Sequence, residues 1–206
     1  MIALIPGERF NSITHLVGAA LAVAGAAVLI TCAALGGDAW KIVSFSIFGA
    51  AMIALYASST LYHSTRGKTK ALWAKFDHCA IYVLIAGTYT PFTLVTLRGA
   101  WGWSLFGVVW GLAVIGIVKE LALGREKVPS VPLYLAMGWL AVIGAVPLVR
   151  ELSAMALSGL VAGGLLYTAG VVFYANDHRW RHAHGIWHLF VLAGTACHYF
   201  TVLWFL

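Results

Sequence analysis

Residues 13–35 read ITHLVGAALAVAGAAVLITCAAL and contain no Asp, Glu, Lys or Arg. A helix rises 1.5 Å per residue, so about 20 apolar residues cover the roughly 30 Å hydrocarbon core of a bilayer. This stretch is long enough. Working outward, six further runs of the same kind follow, at 41–63, 76–97, 100–122, 130–150, 154–176 and 184–206. They fill almost the whole chain and leave no room for a soluble domain between or beyond them. The expected fold is therefore an all-α integral membrane protein, with one domain over 1–206 forming a seven-transmembrane-helix bundle. The first run is too long for the h-region of a cleavable signal peptide, and Arg9 is the lone positive charge before it. Pro91 is expected to kink the third span, while Pro129 and Pro132 open the fifth, where a missing N–H costs little.

Composition agrees. The chain of 206 residues is 62% apolar and only 10% charged, with 22 Gly and 9 Trp. Soluble domains average about 45–50% apolar and roughly 25% charged residues. Gly is frequent in membrane helices and Trp gathers at their interfaces. The net charge of +6 comes from 13 basic residues in short islands between apolar runs. That pattern reads as membrane topology and excludes a nucleic-acid partner. Cys32, Cys79 and Cys197 show no pairing motif and read as small buried hydrophobes.

Counting Lys and Arg in the connections orients the bundle. Arg9, Arg66, Lys68, Lys70, Lys75, Lys119, Arg125, Lys127, Arg179 and Arg181 fall on one side, and Lys41, Arg98 and Arg150 on the other. Ten against three places the N-terminus in the cytoplasm and the C-terminus outside. Seven of the eight His lie at or near the cytoplasmic ends of spans or in a cytoplasmic connection. His198, ten residues past His188, lies about 15 Å deeper.

Ionisable groups within the membrane mark function by default. Three constellations stand out: Glu8-x-x-Asn11-x-x-x-His15, Ser59-x-x-x-His63 followed by Asp77, and His184-x-x-x-His188. Residues i and i+4 share a helix face, so an H-x-x-x-H pair can place two imidazoles on one metal ion. His63, Asp77, His184 and His188 share one depth and one side in the charge count. Three His leave one tetrahedral position open, as in catalytic zinc sites, where bound water becomes a nucleophile near pH 7. Asp77 is the carboxylate available to take its proton, and Ser59 could bond a supporting group or a substrate oxygen. A fourth protein ligand such as His15 or Cys79 would instead make the site structural. Plainer readings stand beside these. His184 and His188 suit an interface with headgroups, Asp77 an N-cap, and Ser59 a bond to the carbonyl one turn back. Glu8 and Asn11 suit caps of the first helix, His198 hydrogen-bonded packing, and His78, His178 and His182 solvent. Gly107-x-x-x-Gly111 and Gly159-x-x-x-Gly163 read as close helix packing.

These three motifs resemble those of the progestin and adiponectin receptor family. Asp77-His78-Cys79-Ala80-Ile81-Tyr82, with Ala86-Gly87-Thr88-Tyr89-Thr90-Pro91-Phe92, is similar to its bacterial haemolysin III branch. The resemblance covers the chain from Glu8 onward. It implies a multi-pass protein of the cell membrane, the bacterial inner membrane, with the N-terminus inside. It implies zinc held by His63, His184 and His188, with Asp77 close to the reacting water and Ser59 nearby. It also implies kinship with alkaline ceramidases, hence hydrolysis of an amide or ester in a ceramide-like or other acyl lipid. The branch name implies instead a cytolysin; a membrane sensor with structural zinc is the other non-enzymatic reading. A transporter is disfavoured, since no inverted repeat is visible.

Overall fold

The computed structural model describes residues 5–123 and 130–206. Arg125, Lys127 and Pro129 lie outside them. The elements are α1 (Arg9–Leu35), α2 (Ala39–Ser64), α3 (Gly67–Pro91), a π-helical turn (Phe92–Thr96) and α4 (Ala100–Leu123). There follow α5 (Val131–Gly138), a 3-10 turn (Leu140–Val142), α6 (Ala145–Glu151), α7 (Ala154–Ala175) and α8 (Ala183–Phe205). Among the described residues six helices are long and apolar enough to cross a membrane, and the bent pair of α5 and α6, counted as one span, brings the number to seven at most. The protein is a multi-pass membrane protein. Consecutive helices pack side by side from α1 to α4, α7 packs on α8, and α8 returns to α1. Large apolar side chains such as Val108, Ile115, Val118 and Leu121 of α4 stay on the outside, as expected of a helix in a bilayer.

Two spans differ from expectation. The third begins at Gly67, nine residues before the expected 76. Its first turns carry Lys68, Lys70 and Lys75, so a search for apolar runs passes over a helix that simply extends beyond the hydrocarbon. Asp77 therefore lies inside α3 and is not its N-cap, a place held by Arg66. Past Pro91 the ladder widens, and Leu97 N–H reaches the Phe92 carbonyl in the π-turn. A residue without an N–H has this effect on a helix that neighbours still support.

The fifth span is bent by 53° between Val142 and Ala145. Broken backbone at membrane depth persists only if its polar groups find partners. Tyr89 supplies them: its hydroxyl donates to the Gly138 carbonyl at 2.8 Å and accepts from Ala141 N–H at 2.8 Å. The two glycine pairs also part company. A Cβ on Gly159 would meet Thr201 and one on Gly163 would meet His198, so α7 and α8 need both glycines. Gly107 and Gly111 have nothing within 4 Å of such a Cβ and pack no helix among the described residues. Cys32 is exposed, and Cys79 and Cys197 are only partly buried, contrary to the reading of all three as buried.

Candidate metal centre

The last turn of α2 and the first turns of α8 meet at one end of the bundle. The i, i+4 spacing puts His184 and His188 on one face, opposite His63. One ring nitrogen from each of the three lies within 4.8 Å of the others, a group able to hold a metal ion. Ring centroids are 5.0 Å apart for His63 and His184, 5.1 Å for His63 and His188, and 4.8 Å for His184 and His188. The Nε2 atom of each is buried without a hydrogen-bond partner. Orphaned buried nitrogens are costly, and three converging ones fit a cation.

The other nitrogen of each ring is tied down. His63 donates from Nδ1 to Glu8 Oε2 at 2.7 Å, and His184 from Nδ1 to Asp177 Oδ2 at 3.1 Å. His188 Nδ1 lies 3.2 Å from the Asn11 carbonyl and 3.1 Å from Thr14 Oγ1. The Thr14 proton already goes to the Phe10 and Asn11 carbonyls, so here the imidazole is the donor. All three rings thus keep their Nε2 lone pairs for the centre. Metal-binding imidazoles are usually braced in this way, which fixes tautomer and orientation. Glu8 occupies the N-cap position of α1, but its side chain makes no cap bond. It reaches across to His63, to Lys70 Nζ at 2.8 Å and to Asn11 Nδ2 at 2.9 Å. The hydrogen bond from His63, aided by those from Lys70 and Asn11, outweighs burial and holds the Glu8 carboxyl well below its usual range.

His15 is buried and stacked on His188 with centroids 3.5 Å apart, yet neither of its nitrogens has a partner. Neither His15 nor Cys79 joins the three-nitrogen group, which is the one such group among the described residues. Ser59 is buried with its hydroxyl unpartnered, so it does not bond back along its helix. Asp77 is buried and lines a cavity of about 320 Å³ together with His15, His78 and His184. That cavity is mostly apolar and runs as deep as His198, which is hydrogen-bonded to the Leu160 carbonyl at 3.0 Å. A second pocket of about 350 Å³ is polar and holds Glu8, Asn11, His63 and Asp177. Tyr62 and His184 line both.

The model of the family described as "Haemolysin-III related" matches residues 4–199. The chain belongs to the Haemolysin-III related family. It is similar to "Hemolysin-3 homolog" of Bacillus subtilis (strain 168), 48% identical over 98% of this chain and 95% of that one. It is similar to "Hemolysin-3" of Bacillus cereus, 42% identical over 100% and 94%. It is also similar to human "Monocyte to macrophage differentiation factor", 31% identical over 93% and 81%.

In this Haemolysin-III chain, several partners escape a motif search. Asp177 precedes its His by seven residues across an irregular connection, and Thr14 looks like any helical threonine. Lys70 resembles a topogenic charge until α3 is seen to begin at Gly67. Glu120, a carboxylate within an apolar run, was a visible signal. It is 3% exposed and lies 3.0 Å from His78 Nδ1, so His78 is paired rather than solvated. His178 and His182 are exposed, as expected.

Proposed function

We propose that this protein is a zinc-dependent hydrolase of an amide or ester bond in a ceramide-like or other acyl lipid, opening toward the cytoplasmic leaflet. The observation that carries the reading is the set of three braced imidazoles whose Nε2 atoms converge, unpartnered, beside a long apolar cavity. His63, His184 and His188 would hold the ion. When bound, zinc with an open fourth position supplies the polarisation that makes water a nucleophile at neutral pH. Asp77, on the cavity wall with His184, takes the proton of the attacking water. Glu8, Asp177 and the Asn11 carbonyl keep the three rings in place, the polar pocket receives the headgroup and the apolar cavity receives the acyl chain. The Lys/Arg excess at the end holding the site supports a cytoplasmic opening and an N-terminus inside.

A lytic or sensory role with structural zinc is the second reading, and the names of the two Bacillus relatives suggest its lytic form. A structural site closes all four positions with protein ligands, and the group found here has three. The test is zinc analysis of detergent-purified protein, followed by acyl release from a panel of amide and ester lipids. About one zinc per chain with release of fatty acid supports the reading; zinc with no release from any lipid favours the structural role. A cytoplasmic reporter active at 64–75 and silent after Leu206 is expected, and the reverse would overturn the orientation.

A further inference from the structure

A third carboxylate-braced imidazole, His78, stands outside the metal group. Glu120 of α4 is 3% exposed, and a carboxylate at such a position in a membrane helix is expensive unless it is used. Its Oε1 accepts from His78 Nδ1 at 3.0 Å and its Oε2 from Ser130 Oγ at 2.9 Å. Lys119 Nζ in turn donates to Ser130 Oγ at 3.1 Å. Tyr134 of α5 donates to the His78 carbonyl at 3.0 Å, fixing the backbone under the ring. The brace has the same form as Glu8 on His63 and Asp177 on His184. His78, however, does not belong to the three-nitrogen group. It lies across the Tyr62 ring, whose centroid is 4.5 Å from His63 and 6.3 Å from His78, and it lines the cavity beside Asp77.

We propose that His78 is the acid that protonates the leaving group of the lipid, with Glu120 as its positioning residue. This rests on the hydrolase reading above. Hydrolysis needs a proton removed from water and another delivered to the departing atom. Asp77 and His78 are consecutive on α3, hence about 100° apart around the helix axis, and both line one cavity. They are two separate groups for two separate protons. The water oxygen bonds to the carbonyl carbon and gives its proton to Asp77. The C–N or C–O bond then breaks, its electron pair stays on the leaving atom, and that atom takes a proton from His78 Nε2. Asp77 then releases its proton to solvent, and His78 regains one. Glu120 stabilises the protonated ring before transfer and holds Nδ1, which orients the ring at the cavity wall. Charged or titratable groups near His78 include Tyr62 from α2, Asp77 and Cys79 on its own helix, Glu120 and Lys119 from α4 and Tyr134 from α5, and His184 from α8 lines the same cavity.

The test compares two substrates of one acyl chain on full-length, zinc-loaded protein: a fatty acyl alkylamide and the p-nitrophenyl ester of the same acid. An amine cannot leave without a proton, whereas nitrophenolate can. His78→Gln should lower kcat on the amide by about 10²–10⁴-fold, with KM and zinc content retained, and lower it on the nitrophenyl ester by less than about tenfold. Glu120→Gln should show the same pattern, smaller on the amide, and carries the test alone if His78→Gln misfolds. Equal losses on both substrates overturn the assignment and leave the hydrolase reading standing. Failure of zinc-loaded wild-type protein to cleave either substrate overturns both.

Discussion

The cavity has two unlike walls. On one side α1, α2 and α8 are unbroken helices, and every imidazole of the triad is braced from a neighbouring element. On the other, α5 and α6 form a bent span whose freed backbone groups both rest on one hydroxyl, that of Tyr89. The contrast teaches a division of labour. Reacting groups must be held to fractions of an ångström, which packed helices with supporting hydrogen bonds achieve. The facing wall need only be apolar and continuous, so it tolerates irregular backbone as long as each polar group finds a partner.

The sharpest way to break this comparison is to remove the triad. Replacing His63, His184 and His188 together by Ala should abolish zinc binding in detergent-purified protein while leaving the helical content by circular dichroism unchanged. Wild-type occupancy after all three changes would dismiss the site. The next effect concerns Asp77. Asp77→Asn should keep zinc and fold and lower any hydrolase turnover by about 10²–10⁴-fold. Because Asp77 sits inside α3, the change probes chemistry without touching the start of the helix. Loss of zinc would mark Asp77 as support for a ligand, and full activity would place the base elsewhere. A smaller effect is expected at the brace: Glu8→Gln should weaken zinc affinity by about 10–100-fold, measured by competition with a chelator. An unchanged affinity would mean that packing alone orients His63.

The smallest effect belongs to the opposite wall. Tyr89→Phe strands the Gly138 carbonyl and the Ala141 N–H and should cost about 1–2 kcal/mol of stability, read from unfolding in detergent. Zinc affinity should not move. If it falls with stability, the two walls are coupled and the division of labour is wrong.

Much of this was legible in the chain. The spans were, because bilayer thickness demands long apolar runs, and five of the seven appear as single helices close to the expected bounds. The i, i+4 spacing of His184 and His188 was legible because it is a property of one helix. His63 could be linked to them only by depth and side. The start of α3 was hidden by its lysines, and the break in the fifth span by the apolar run that continues through it. The roles of the glycine pairs were not legible either. Gly159-x-x-x-Gly163 and Gly107-x-x-x-Gly111 share a pattern, yet among the described residues only the first faces a neighbour.

By itself, the sequence determined that this chain lives in a membrane, that it is built from long apolar helices, and which segments carry its histidines. Those properties follow from hydrophobic length and local helical geometry, which each segment carries alone. Tertiary structure decided which groups brace which. Asp177 for His184, the Asn11 carbonyl for His188, Lys70 behind Glu8 and Glu120 for His78 are contacts between different elements. A side chain's partner across a bundle depends on how helices pack and rotate against one another, and no local pattern encodes that.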